Sequence, residues 1–76
     1  MSKLKKISGK DCIKIICNKF GFHVVRQRGS HVILKKDMPF GEIGTVVPNH
    51  KELKVGTLKN VLALAKIDEE EFIKFQ

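Results

Sequence analysis

Apolar positions recur at three- and four-residue steps near both ends of this chain and follow a strand-like pattern between them. That change of period divides it into elements. Cys12, Ile13, Ile16, Cys17 and Phe20 form one stripe at helical spacing. Ser8 stands ahead of it as an N-cap, and Asp11 three residues later completes a capping-box-like pair for otherwise orphaned backbone amides. Gly21 follows as a stop, because glycine enters the left-handed conformation at little cost. Residues 22–27 and 30–36 are rich in β-formers, and the Arg28-Gly29 step between them is short enough for a hairpin turn. Asp37 to Gly41, which contains Pro39, predicts a second turn, and Glu42 to Val47 a third strand ending at Pro48.

Beyond a polar loop from Pro48 to Val55, Gly56-Thr57 opens a second helix on which Leu58, Val61, Leu62 and Ala65 form the apolar stripe. Asp68 and Glu71 repeat the capping signature before Phe72, Ile73 and Phe75, so a short helix closes the chain. The predicted order is α-β-β-β-α plus a terminal helical turn. It implies an α+β two-layer sandwich: a three-stranded antiparallel meander with helices on one face and the other face open to a ligand. This is the topology of the double-stranded-RNA-binding fold, a fold-level analogy that establishes no activity. At 76 residues the chain is expected to be one domain, 1–76, too small to divide its core or enclose a large active-site cavity.

Charge adds a direction. The net +7 is unevenly spread: residues 1–36 hold ten Lys/Arg against Asp11 alone, a balance of +9, while residues 37–76 hold five against seven acids, a balance of −2. Residues 2–7, with Lys3, Lys5 and Lys6, form a basic arm ahead of the first helix. A polyanion is the natural partner of such a half, since neutralising phosphates releases condensed counterions. A solvated, solubilising face is the alternative. No apolar run approaches the roughly 20 residues that span a bilayer, and no signal-peptide core opens the chain, so the cytoplasm is the expected location. Cys12 and Cys17 lie five apart within a predicted helix, ill-suited to a disulfide and too few for zinc. Both are expected to be buried thiols, and neither cofactor nor metal is expected.

Candidates for chemistry are few. The chain has no Gly-rich phosphate loop, no His/Cys cluster at zinc spacing and no nucleophile elbow. Glu69, Glu70 and Glu71 stand at a helix N-terminus, where the macrodipole accounts for them. His31 differs in its setting, since it starts a strand beside a turn with Arg26, Arg28, Lys35 and Lys36 on the same hairpin. RNA cleavage needs little more: a group that exchanges protons near neutrality and cations for the charge developing on phosphorus. Gly29 permits close backbone approach to a phosphate, and the amides around Gly29-Ser30 are potential donors to it. An ordinary half-exposed strand histidine remains the alternative for His31. His50, in the Pro48-Asn49-His50 loop, is either a second proton carrier or a turn residue, and His23 is left unassigned.

Taken in order, Gly21-Phe22, Arg26-Gln27-Arg28-Gly29-Ser30-His31, Val47-Pro48-Asn49-His50, Gly56-Thr57-Leu58 and Glu70-Glu71-Phe72 resemble the HicA toxins of toxin–antitoxin pairs over nearly the whole chain. The resemblance implies a double-stranded-RNA-binding-like fold turned into a messenger-RNA endoribonuclease, with the histidine of the Gly-Ser-His element, here His31, as catalytic residue. It also implies a HicB-type antitoxin that binds the toxin and masks the site. Val32, after the histidine, departs from the polar residue frequent there. Two other readings use the same residues: a non-catalytic RNA-binding module that recognises A-form shape, and an interaction domain whose basic face binds an acidic protein.

Overall fold

A computed structural model describes residues 3–76; Met1 and Ser2, where the expected domain and basic arm begin, lie outside the described residues. The elements follow as α1 (Gly9–Phe20), β1 (His23–Arg28), β2 (His31–Met38), β3 (Gly41–Pro48), α2 (Val55–Ala65) and α3 (Glu69–Ile73). The strands form one antiparallel sheet in the order β1-β2-β3. This is the α+β order that the periodicity predicts.

Local chemistry fixes the ends of α1. Ser8 Oγ accepts from the Asp11 amide at 3.0 Å, and Gly21 closes the helix at φ 78° with its N–H on the Ile16 carbonyl. The hairpin turn is displaced by one residue from the expected place. Gly29 and Ser30, not Arg28 and Gly29, are its central residues, and Gly29 at φ 60° takes the first central position as a II′ turn requires. Both flanking strands move with it, so β2 begins at His31 rather than Ser30. α2 begins at Val55 behind Lys54, which makes no side-chain cap, one residue before the expected Gly56. At α3, Asp68 accepts from the Glu70 amide at 3.2 Å, while Glu71 pairs with Lys74 at 3.2 Å.

The core lies between the helices and one sheet face. Val32 and Leu34 of β2 stand opposite Val47 and Thr45 of β3, and all four are buried with Cys12, Ile16, Leu58, Val61, Leu62 and Phe72. Each large side chain among them contributes about 1.5–3 kcal/mol by leaving water. Thr45 is the buried polar residue on this face; its Oγ1 donates to the Val61 carbonyl at 2.8 Å, so its burial carries no unmet hydrogen bond and ties β3 to α2. Phe20 stacks on Phe72 at 6.3 Å and meets Phe75 edge-on at 5.7 Å, which seals α3 against α1.

Cys12 is a buried free thiol, as expected, and burial pushes its pKa up to about 12. Cys17 is free but only half-buried, because it stands at the margin of the α1 stripe. The basic segment before α1 is anchored. Lys5 donates its N–H to Gln76 Oε1 at 3.0 Å and accepts from Gln76 Nε2 at 2.7 Å, and Leu53 donates to the Ile7 carbonyl at 2.6 Å. Among the described residues no helix is long and apolar enough to cross a membrane.

Candidate nucleic-acid interface

Directly opposed residues of antiparallel strands project to the same face, and successive residues of one strand to opposite faces. Val32, Leu34, Thr45 and Val47 point to the helices, so His31, Ile33 and Lys35 of β2 and Gly44, Val46 and Pro48 of β3 belong to the open face. His31 is exposed there, flanked by its partners Arg28 on β1 and Pro48 on β3. The apolar pair Ile33 and Val46 lies next to it.

A β-bulge decides where Arg26 goes. Val24 pairs with Leu34, but the next pair is Arg26 with Ile33, so Val25 is an extra residue in β1. In a strictly alternating strand Arg26 would share the face of Val24, the helix face. The inserted residue moves it to the face of Ile33, and Arg28 follows opposite His31. Two guanidiniums and one imidazole thus share the hairpin end of the open face. Neither arginine belongs to an ion pair among the described residues, where the pairs are Lys35–Glu42 and Lys74–Glu71.

The other expected ligands are distributed differently. Lys35 is on the open face but further from the turn, with its ammonium 3.7 Å from Glu42, which offsets its charge. Lys36 alternates to the helix face, where its ammonium lies 5.9 Å from the Phe22 ring centroid. Gly29 is unobstructed: a β-carbon there would meet no atom within 4 Å. The Ser30 carbonyl accepts from the Asn49 amide at 2.6 Å and so joins the hairpin turn to the loop after β3.

That loop carries His50, whose exposed side chain lines a depression of about 340 Å³ with Ser8, Lys10, Asn49 and Lys51. Its position depends on Gly9, which the sequence reading passed over. The Gly9 amide donates to the His50 carbonyl at 2.8 Å. A β-carbon on residue 9 would overlap the Pro48 carbonyl oxygen and lie 2.8 Å from Asn49 Cα. A glycine directly after an N-capping serine was the available signal, but helix propensity alone gives it no meaning. His31 lines neither this depression nor the one of about 360 Å³ between α1 and Phe75. It stands on an open surface suited to an extended ligand. Among the described residues no three of His, Cys, Asp and Glu gather as metal ligands would.

The arrangement can receive a phosphodiester on two arginines beside a proton-exchanging ring. A family model described as "HicA toxin of bacterial toxin-antitoxin" matches residues 9–67, from the start of α1 to just beyond α2. No curated protein and no solved structure matches the chain.

Proposed function

Since the chain belongs to the HicA family, the toxins of toxin–antitoxin pairs, we propose that it is an endoribonuclease that cuts messenger RNA with His31 as its acid–base residue. The observation that carries the proposal is the exposure of His31 on the helix-free face, opposite Arg28 and on the face to which the bulge turns Arg26.

In this scheme the strand crosses the hairpin end of the sheet. His31 accepts the proton of a ribose 2′-hydroxyl as that oxygen attacks the adjacent phosphorus; the P–O2′ bond forms, the P–O5′ bond breaks, and the 5′-oxygen leaves as a hydroxyl with a proton from water, so that a 2′,3′-cyclic phosphate remains. Arg26 and Arg28 hold the non-bridging oxygens, where a planar guanidinium offers paired donors and a charge fixed in sign. Gly29 and Ser30 allow the backbone to approach the same phosphate, and Lys35 and Lys36 play smaller parts, one paired with Glu42 and the other turned away. No step needs a metal.

Family membership brings an antitoxin partner. We take it to be of the HicB type and to act by covering the open face, in the cytoplasm where messenger RNA is found.

Incubating labelled RNA with the purified protein in chelator tests the reading. Wild type should cut, and His31→Ala should slow cleavage by at least about a hundredfold, the usual loss for an acid–base group. A 2′-deoxy sugar at the scissile position should block cutting. Cleavage at the wild-type rate by a folded His31→Ala protein removes His31 from the mechanism. Salt-dependent duplex binding with no cleavage by wild type would favour the non-catalytic module.

A further inference from the structure

We propose that the depression beside the loop after β3 is a second phosphate-binding subsite for the same RNA strand, held by Lys10, His50 and Lys51. The proposal rests on the reading of the open face as an RNA-cleaving surface and extends the path of the strand beyond it.

The lining chemistry is one-sided. Lys10, His50 and Lys51 supply two ammonium groups and an imidazole, Asn49 an amide and Ser8 a hydroxyl that still has a hydrogen to donate; among the described residues no carboxylate lines the depression. Neither lysine belongs to an ion pair among the described residues. Three nearby backbone donors are already committed. The Gly9 amide is on the His50 carbonyl, that of Asp11 on Ser8 Oγ and that of Cys12 on the Ser8 carbonyl. The side chains of the lining, more than the end of the helix, are therefore what an anion meets there.

The lysines do not drift together at random. Lys10 follows Gly9 and Lys51 follows His50, and those two residues are clamped by the 2.8 Å Gly9–His50 hydrogen bond and by the absence of a β-carbon at residue 9. The fold thus brings like charges to one rim without a carboxylate between them, an arrangement that an anion relieves. Its position fits the strand. Pro48 is the cross-strand partner of His31, and the lining residues Asn49 to Lys51 follow directly. A chain passing from His31 over Pro48 meets this depression next.

The test measures the affinity of a short fluorescent single-stranded RNA by anisotropy over a range of salt, in a His31→Ala background that leaves the probe intact. Each lysine–phosphate contact removed should lower the salt slope by about 0.7. Lys10→Gln with Lys51→Gln should therefore flatten it by about 1.4 and weaken binding roughly tenfold or more at moderate salt. The arginine replacements at both positions should restore it. Lys59→Gln with Lys66→Gln, at and just beyond α2, should leave it unchanged. An unaltered slope in the Lys10/Lys51 variant, while wild type still cuts RNA, overturns the subsite and leaves the nuclease standing. Equal losses in both lysine pairs would also overturn it, as would phosphate ion protecting the depression while RNA does not. RNA neither bound nor cut by wild type removes both readings.

Discussion

Alanine at Gly9 should destabilise the protein, whereas alanine at Gly56 should not. A β-carbon at residue 9 would fall on the Pro48 carbonyl oxygen and lie 2.8 Å from Asn49 Cα and 2.9 Å from His50 N. All three are backbone atoms, so no side chain can rotate aside. The loop cannot retreat freely either, since His50 accepts from Gly9 at 2.8 Å and Asn49 donates to Ser30 at 2.6 Å. Forcing the contact apart costs about 1–3 kcal/mol as overpacking, and loss of the Gly9–His50 bond about 1 more. The better helix propensity of alanine returns at most about 1. The net is about 1–3 kcal/mol, which in a domain of this size lowers Tm by roughly 5–20 °C. At Gly56, also in the first turn of a helix, a β-carbon meets nothing within 4 Å, and alanine should stabilise by about 0.4–1 kcal/mol. Thermal and urea unfolding followed by circular dichroism gives both numbers. RNA cleavage by Gly9→Ala, assayed below its lowered Tm, should also fall, because the displaced loop borders His31. Wild-type stability in Gly9→Ala, or equal losses at the two glycines, would refute the close-approach argument.

Deleting Val25 removes the extra residue of the bulge but leaves Val24 opposite Leu34 and Arg26 opposite Ile33, so the variant should fold and keep most of its cleavage activity. A loss as deep as that of Arg26→Ala would mean that the twist of the bulge, and not the face it selects, serves the site. Cys12 supplies a pH prediction. Burial raises its thiol from 9.0 to about 12, so the folded state holds the proton more tightly than the unfolded one. Stability is full below pH 9 and drains as pH rises from 9 toward 12, by up to about 1.4 kcal/mol per pH unit. Urea midpoints across that range should fall less steeply in Cys12→Ala, and equal slopes would refute the assignment.

Most of the architecture was legible because it rests on periodicity and caps. Ser8, Gly21, Asp68 and the stripe through Leu58, Val61 and Leu62 each act locally, and each behaves as its residue type dictates. What could not be read were quantities set by pairing. In His31-Val32-Ile33-Leu34 both strand parities carry apolar residues, so the sequence leaves the face of His31 open until Val47 and Thr45 choose their partners. Val24-Val25-Arg26 contains no glycine or proline to mark a bulge. The cationic cluster was recognised by proximity along the chain, which counted Lys36 although alternation sends it to Phe22. Proximity could not register that Glu42, seven residues on, offsets Lys35. Cys17 was assigned by helical spacing, which identifies a stripe but not how far its margin is covered.

The open face is therefore polarised, and the polarity bears on how so small a surface would act on the RNA we propose as its substrate. At the hairpin end stand Arg26, Arg28 and His31; at the other, Asp37 and Glu42 oppose each other across β2 and β3, with Lys35 drawn to Glu42. A polyanion gains by approaching the first end and is repelled from the second, so the sheet would orient an RNA strand before any base is contacted. His31 itself stands exposed on that face, beside the apolar pair Ile33 and Val46, and lines neither of the two depressions. Orientation by charge then substitutes for enclosure. It would also leave the proposed catalytic corner open to a partner that covers it without entering a pocket, a simple physical basis for control of such a toxin by an antitoxin.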